Sequence, residues 1–177
     1  MFKEAVPLSK KFCIWIIVLA GIIFGEGCTV KYSFSGATIA PEVKTISVQY
    51  FPNRAATVLP NLAQDFTDAL MDRCKAQTSL TFTNDVGDVN FEGEITDYKI
   101  EPVAITGNEM AAMNRLSISV RVKFTNLVEP EWDFETTFTR YAEYESTMDP
   151  TQAQDEYTPQ IIDQLTEDIF NRAFVNW

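Results

Sequence analysis

The sequence predicts an α+β fold: two amphipathic helices packed on a mostly antiparallel sheet of four to five strands, in the order β-α-β-β-β-β-α. Three observations carry this expectation. Apolar residues recur every fourth position in two separate stretches, and they alternate with polar ones in several others. The two helical stretches bracket most of the strands rather than alternating with them. Finally, 13 Phe, 6 Tyr and 3 Trp in 177 residues supply ample apolar mass for one core.

In chain order, Thr45 to Phe51 (TISVQYF) alternates, with Ile46, Val48 and Tyr50 expected on the inward face. Pro60 and Asn61 open a helix to about Gln77. In it Leu62, Phe66, Leu70 and Cys74 form one stripe, and Asp65, Asp68 and Asp72 stay wet. Leu80 and Phe82 start a short strand, and NDVGD (84–88) reads as a turn. Val89, Phe91, Gly93 and Ile95 alternate until the phase slips by one before Tyr98 and Ile100, which predicts a bulge near Asp97. Leu116, Ile118, Val120, Val122 and Phe124 give the clearest strand. Trp132, Phe134, Thr136 and Phe138 give another, followed by Tyr141 and Tyr144. Asp155 to about Val175 reads as a helix with Ile162, Leu165, Ile169, Phe170 and Ala173 inward.

The N-terminus has a different logic. Lys3, Lys10 and Lys11 precede an apolar run from Phe12 to Phe24. A helix of that length rises only about 20 Å, short of the roughly 30 Å of a bilayer's hydrocarbon core. It suits the apolar segment of a signal peptide, so residues 1–27 are expected to be removed. Gly25-Glu26-Gly27-Cys28 resembles a bacterial lipobox, in which the cysteine receives a diacylglycerol and, after cleavage, an N-acyl chain such as palmitate. Gly27 fits the small residue before the cysteine; Gly25 stands where Leu is usual, and Glu26 is atypical. Other roles for Cys28 fit less well. Cys13 lies in the signal, Cys74 lies on a helix's apolar stripe, and the chain has no histidine to activate a thiol. The expected organisation is thus signal peptide 1–27, lipidated Cys28 with a tether to 44, and one domain over 45–177.

Removal of residues 1–27 takes three Lys and two Glu from totals of 14 basic and 25 acidic side chains, leaving 11 against 23, a formal charge of −12. That balance argues against nucleic acid, whose affinity rests on phosphate neutralisation, and against electrostatic attachment to an anionic membrane. Any membrane attachment then falls to the lipid. Nothing in the sequence supports catalysis, a cofactor or a metal. Glu92 and Glu94 alternate with Phe91, Gly93 and Ile95, as the solvated face of a one-sided strand does. Asn84, Asp85 and Asp88 lack the spacing of a calcium loop. Arg115, Arg121, Lys123 and Arg140 are the nearest thing to a basic group, and they read as ordinary solvent-face charges.

The longest irregular stretch is Glu101 to Arg115 (EPVAITGNEMAAMNR), longer than the two to five residues usual in a hairpin. Its apolar middle suits docking against a larger surface, with Gly107, Asn108, Glu109, Met110, Met113 and Arg115 as candidate partner contacts. Alternatively, Met110 and Met113 fold back and cap the core.

Several blocks together resemble the lipopolysaccharide-assembly lipoprotein family LptE, in the branch found in Bacteroidota: "YSFSGATIAPEVKTISVQYFPNRA", "FEGEITDYKIEPVAITGNEMAAMNRLSISVRVKF", "DFETTFTRYAEY" and "LTEDIFNRAFVNW". The likeness runs from Tyr32 to Trp177. It implies a two-helix, four-strand sandwich held by its lipid on the periplasmic face of the outer membrane. It further implies a plug in the LptD β-barrel translocon that helps the barrel assemble and lipopolysaccharide reach the surface, with no enzymatic activity. Some members bind lipopolysaccharide through basic residues; the acidic surface here carries no such site over. "CTVKYS" lacks the acidic residues that follow the cysteine in surface-exported lipoproteins of that class, which favours the periplasmic face. The alternative is a free-standing periplasmic lipoprotein that binds a lipid or peptide without a barrel.

Overall fold

A computed structural model describes residues 39–57, 59–103 and 113–175. The elements are β1 (Thr45–Val48), α1 (Leu62–Gln77), β2 (Thr81–Phe82), β3 (Val89–Val103), β4 (Met113–Asn126), β5 (Phe134–Glu145) and α2 (Pro150–Phe174), with a short 3-10 turn at Pro130–Trp132. This is the expected β-α-β-β-β-β-α order. The sheet runs β2-β1-β3-β4-β5. Its three long strands pair antiparallel, whereas β1 is parallel to both β2 and β3, so the sheet is mixed. The parallel part follows from connectivity: β1 and β2 are joined through a helix, which returns the chain to run in the same direction.

Both helices lie on one face of the sheet. Helix α1 packs against β1 and α2, and α2 packs against β4 and β5. The α1 stripe is as the spacing predicts, with Leu62, Phe66, Leu70 and Cys74 all buried. From β4, Leu116, Ile118, Val120, Val122 and Phe124 are all buried on this face. Phe124 sits in an aromatic cluster, its ring centroid 4.8 Å from Phe91, 5.4 Å from Phe134 and 5.7 Å from Phe174.

Burial pushes the Cys74 thiol up to about 12 from its ordinary 9.0. Native protein at neutral pH is therefore expected to leave Cys74 unmodified by maleimide, and denaturant to release it. Its neutral form stabilises the fold below pH 9, and that contribution declines as pH rises towards 12, because only the unfolded chain ionises the thiol freely. A pH titration of stability in wild type and Cys74→Ala checks the slope.

Four sequence expectations are corrected. First, β1 ends at Val48, and Tyr50 is 58% exposed rather than inward. The chain leaves the strand so that Phe51 turns into the core, where its ring lies over Gly93. Second, Ile100 stands open to solvent. Beyond the Asn53–Ile95 bridge β3 has no neighbour on its outer side among the described residues, and Lys99 to Pro102 are exposed. Third, α2 begins at Pro150 rather than Asp155. Asp149 caps it by accepting from the N–H groups of Thr151 and Gln152 at 2.9 and 3.2 Å, and Pro150 takes the first helical position, where no N–H is needed. At its far end Phe174 is buried, and Ala173 only half-buried. Fourth, Trp132 belongs to the 3-10 turn, not to β5. The predicted bulge is present: the β3–β4 register shifts between Ile95 and Asp97.

The turn at 84–88 carries the chain from β2 across β1 to β3. Gly87 is buried against the Ile46 backbone, where a Cβ would stand 3.0 Å from three main-chain atoms, and its N–H donates to Ser47 Oγ at 3.0 Å. Asp88 accepts from the N–H groups of Lys44 and Thr45, each at 2.8 Å, and these bonds hold its carboxyl below the usual range. The carboxylate thus serves the turn, as the sequence suggested.

Candidate functional site

Because both helices take one face of the sheet, the opposite face carries no element among the described residues. Register places its side chains in rows. Glu92, Lys123 and Glu135 form one, Glu94, Arg121 and Thr137 the next, then Asp97, Ser119 and Thr139, then Lys99, Ser117 and Tyr141, then Glu101, Arg115 and Glu143. Lys123 and Arg115 of β4 are thus flanked by acids on both β3 and β5, and Arg121 by Glu94 on β3 alone. Arg121 Nη1 donates to Glu94 at 3.0 Å, and Lys123 Nζ donates to Glu92 at 2.6 Å. Arg115 donates to Glu143 at 3.1 and 2.6 Å while its guanidinium lies 4.2 Å from the Tyr141 ring centre. The bonds to Glu143 and Glu92 raise the pKa of Arg115 and Lys123 above their ordinary values, so both stay charged. Glu92 and Glu94 are therefore solvent-face residues with named partners. Six carboxylates (Glu92, Glu94, Asp97, Glu101, Glu135, Glu143) stand against four cations (Lys99, Arg115, Arg121, Lys123), so the face is polar and mildly acidic.

Arg140 does not join this group. It pairs with Ile118 on the helix face, where it donates to Asp168 of α2 at 2.5 and 2.7 Å, a bond that raises its pKa. The basic group suggested by the sequence therefore separates onto two faces.

Of the candidate partner contacts, Met113 and Arg115 lie on β4 rather than in a loop, because β4 starts at Met113. Met113 is half-buried at a hollow of about 420 Å3 shared with Tyr144, Met148 and Tyr157. Gly107, Asn108, Glu109 and Met110, like Cys28 and the signal segment, lie outside the described residues.

A concavity of about 790 Å3 runs between α1 and α2 on their solvent side. Its floor includes Leu59, Ala69, Pro159 and Ile162, and Asp65, Asp72 and Asp155 stand along its edges. Arg73 crosses it, donating to Thr166 Oγ1 at 3.1 Å, to the Asp163 carbonyl at 3.0 Å, and to the Asp163 carboxylate. Sequence reasoning missed this bridge because Arg73 and Asp163 are 90 residues apart. Among the described residues no group of His, Cys, Asp or Glu is arranged to hold a metal, and no helix is long and apolar enough to cross a membrane. What the arrangement offers is recognition surface: a polar sheet face and an acid-edged groove.

The family model described as lipopolysaccharide-assembly, LptE, matches residues 43–173. The chain belongs to the LptE family. None of the curated proteins matches the chain. Among solved structures, a homologue of the neuraminyllactose-binding hemagglutinin from Helicobacter pylori shares the fold at TM-score 0.50 and 11% identity, over 79% of this chain and 88% of that one. A minor lipoprotein from Acinetobacter baumannii aligns at TM-score 0.47 and 17% identity, over 73% and 91% of the two chains. Rare lipoprotein B from Shewanella oneidensis aligns at TM-score 0.48 and 9% identity, over 72% and 92%. For this LptE family member the role is lipopolysaccharide assembly, and its fold places a charged sheet face opposite two packed helices.

Proposed function

We propose that this LptE-family protein is a non-enzymatic outer-membrane lipoprotein on the periplasmic face. In this reading residues 1–27 are removed, Cys28 is acylated, and the domain seats in a large LptD-type β-barrel as plug and assembly factor for lipopolysaccharide export. Beyond family membership, one observation supports the plug: the sheet face opposite the helices is made mostly of polar and charged rows, two of them acid–base–acid (Glu92–Lys123–Glu135 and Glu101–Arg115–Glu143). Barrel lumens of this class are polar and wet, so such a face suits them better than a lipid-filled or apolar cavity would. The net acidity of that face gives no reason to place a lipopolysaccharide phosphate site there.

Neutralising Arg121 and Lys123 together (Arg121→Gln, Lys123→Gln) removes the cations that face Glu94 and Glu92. Exposed pairs of this kind contribute little to stability, so Tm is expected to change little while recovery of the barrel in mild detergent drops sharply. Full recovery would remove the sheet face from the account. Charge substitution at Met110 and Met113 separates docking from core capping: docking predicts weaker retention at nearly unchanged Tm, capping predicts a large loss of Tm.

A second reading, a free-standing lipoprotein that binds a peptide or lipid, rests on the groove between α1 and α2. It predicts purification without a barrel.

A further inference from the structure

Three of the six large apolar side chains exposed among the described residues stand on two loops at one end of the sheet. Val86, 66% exposed, precedes β3, and Leu127 and Val128, 62% and 37% exposed, follow β4. The loops are joined by a hydrogen bond from the Leu127 N–H to the Asp88 carbonyl at 2.8 Å. Exposed apolar residues scattered singly are ordinary, but a group on adjoining loops is not.

The same end receives the chain from the N-terminus. Ile39, Ala40 and Val43 share a small crevice with Asn126 and Trp132, which flank Leu127 and Val128. Asp88 holds the N–H groups of Lys44 and Thr45. From Cys28 to Ile39 is 39 − 28 = 11 residues, which span at most about 40 Å.

From this placement we propose that the tip formed by Val86, Leu127 and Val128 docks on the surface of the lipid bilayer in which Cys28 is anchored. The inference rests on the acylation of Cys28 given above. Three side chains would bind a membrane poorly alone. Tethered within about 40 Å of the surface, they face a high effective concentration of lipid, and partial insertion becomes favourable. Asp85, Glu129 and Glu131 on the same loops select for zwitterionic over anionic headgroups. Docking at this end fixes the orientation of the domain before it meets a barrel, with its long strands leading outward from the anchor.

The test uses the full acylated chain in phosphatidylcholine vesicles, with an environment-sensitive fluorophore on Leu127→Cys and, separately, on Ser146→Cys in the turn between β5 and α2. Buried Cys74 does not compete for label. The Leu127→Cys probe is expected to shift to the blue and to be quenched by lipids carrying a shallow nitroxide, and the Ser146→Cys probe is not. Adding Val86→Ser and Val128→Ser should abolish the Leu127→Cys response, and adding phosphatidylglycerol should weaken it. A Leu127→Cys probe that stays in water on a chain shown by mass spectrometry to be acylated overturns the docking and leaves the anchor standing. An unacylated chain overturns both. Equal quenching at both positions, or shielding of Leu127→Cys only when a barrel protein is added, also overturns the docking.

Discussion

Replacing Phe124 by alanine is expected to cost about 3–5 kcal/mol, the usual loss when a fully buried Phe is truncated and its surroundings collapse only in part. Phe124 is 1% exposed and touches three other rings, Phe91, Phe134 and Phe174, which come from β3, β5 and α2. Those rings are fixed by different elements, so they cannot all move inward to refill the space. Chemical denaturation of Phe124→Ala and Phe124→Leu separates the contributions. The leucine variant keeps most of the volume and should lose well under half as much. Equal, small losses in both would show that the cluster does not organise this end of the core.

Gly93→Ala is the second large effect, expected to cost at least about 3 kcal/mol, and to lower Tm by about 10 °C. An alanine Cβ would run into the Arg121 carbonyl oxygen of the neighbouring strand and would stand 2.7 Å from Cε1 of Phe51. A side-chain clash can relax, but a backbone oxygen in a paired strand cannot without distorting the ladder. Truncating Phe51 as well should therefore rescue none of the stability lost to the Arg121 oxygen. The double variant Gly93→Ala/Phe51→Ala is expected to be clearly less stable than either single variant. A double variant as stable as Phe51→Ala alone would mean that only the ring opposed the methyl.

Gly93 also marks where the sequence could and could not be read. Alternation through Val89, Phe91, Gly93 and Ile95 gave the strand, and the phase slip before Tyr98 gave the bulge, because both are local periodicities. That Phe51 reaches across to fill the space over Gly93 is a contact between segments, and no local pattern encodes it. The same holds for Tyr50, which continues the alternation of β1 in sequence but lies past the last residue the strand pairs. Asp149 followed by Pro150 is a local signal for the start of α2, obscured by the polar first turns and by Pro159 within the helix. At the candidate site, solvent-facing Glu92 and Glu94 could be read from alternation, whereas their partners on β4 required the register. Arg140 looked like a member of one basic group because sequence shows charge without showing which face a strand turns towards a helix. The tip residues Val86, Leu127 and Val128 carry no periodic signal at all, since they lie in turns.

In the plug reading, the sheet face opposite the helices meets the wall of a β-barrel. A photo-reactive amino acid placed at Thr137, on the edge strand β5 of that face, and at Asp68 on the solvent side of α1, tests it in native membranes. A strong adduct is expected between the Thr137 position and a large outer-membrane barrel protein, with little or none from the Asp68 position. A barrel adduct from Asp68 in place of Thr137, or from neither, would contradict it.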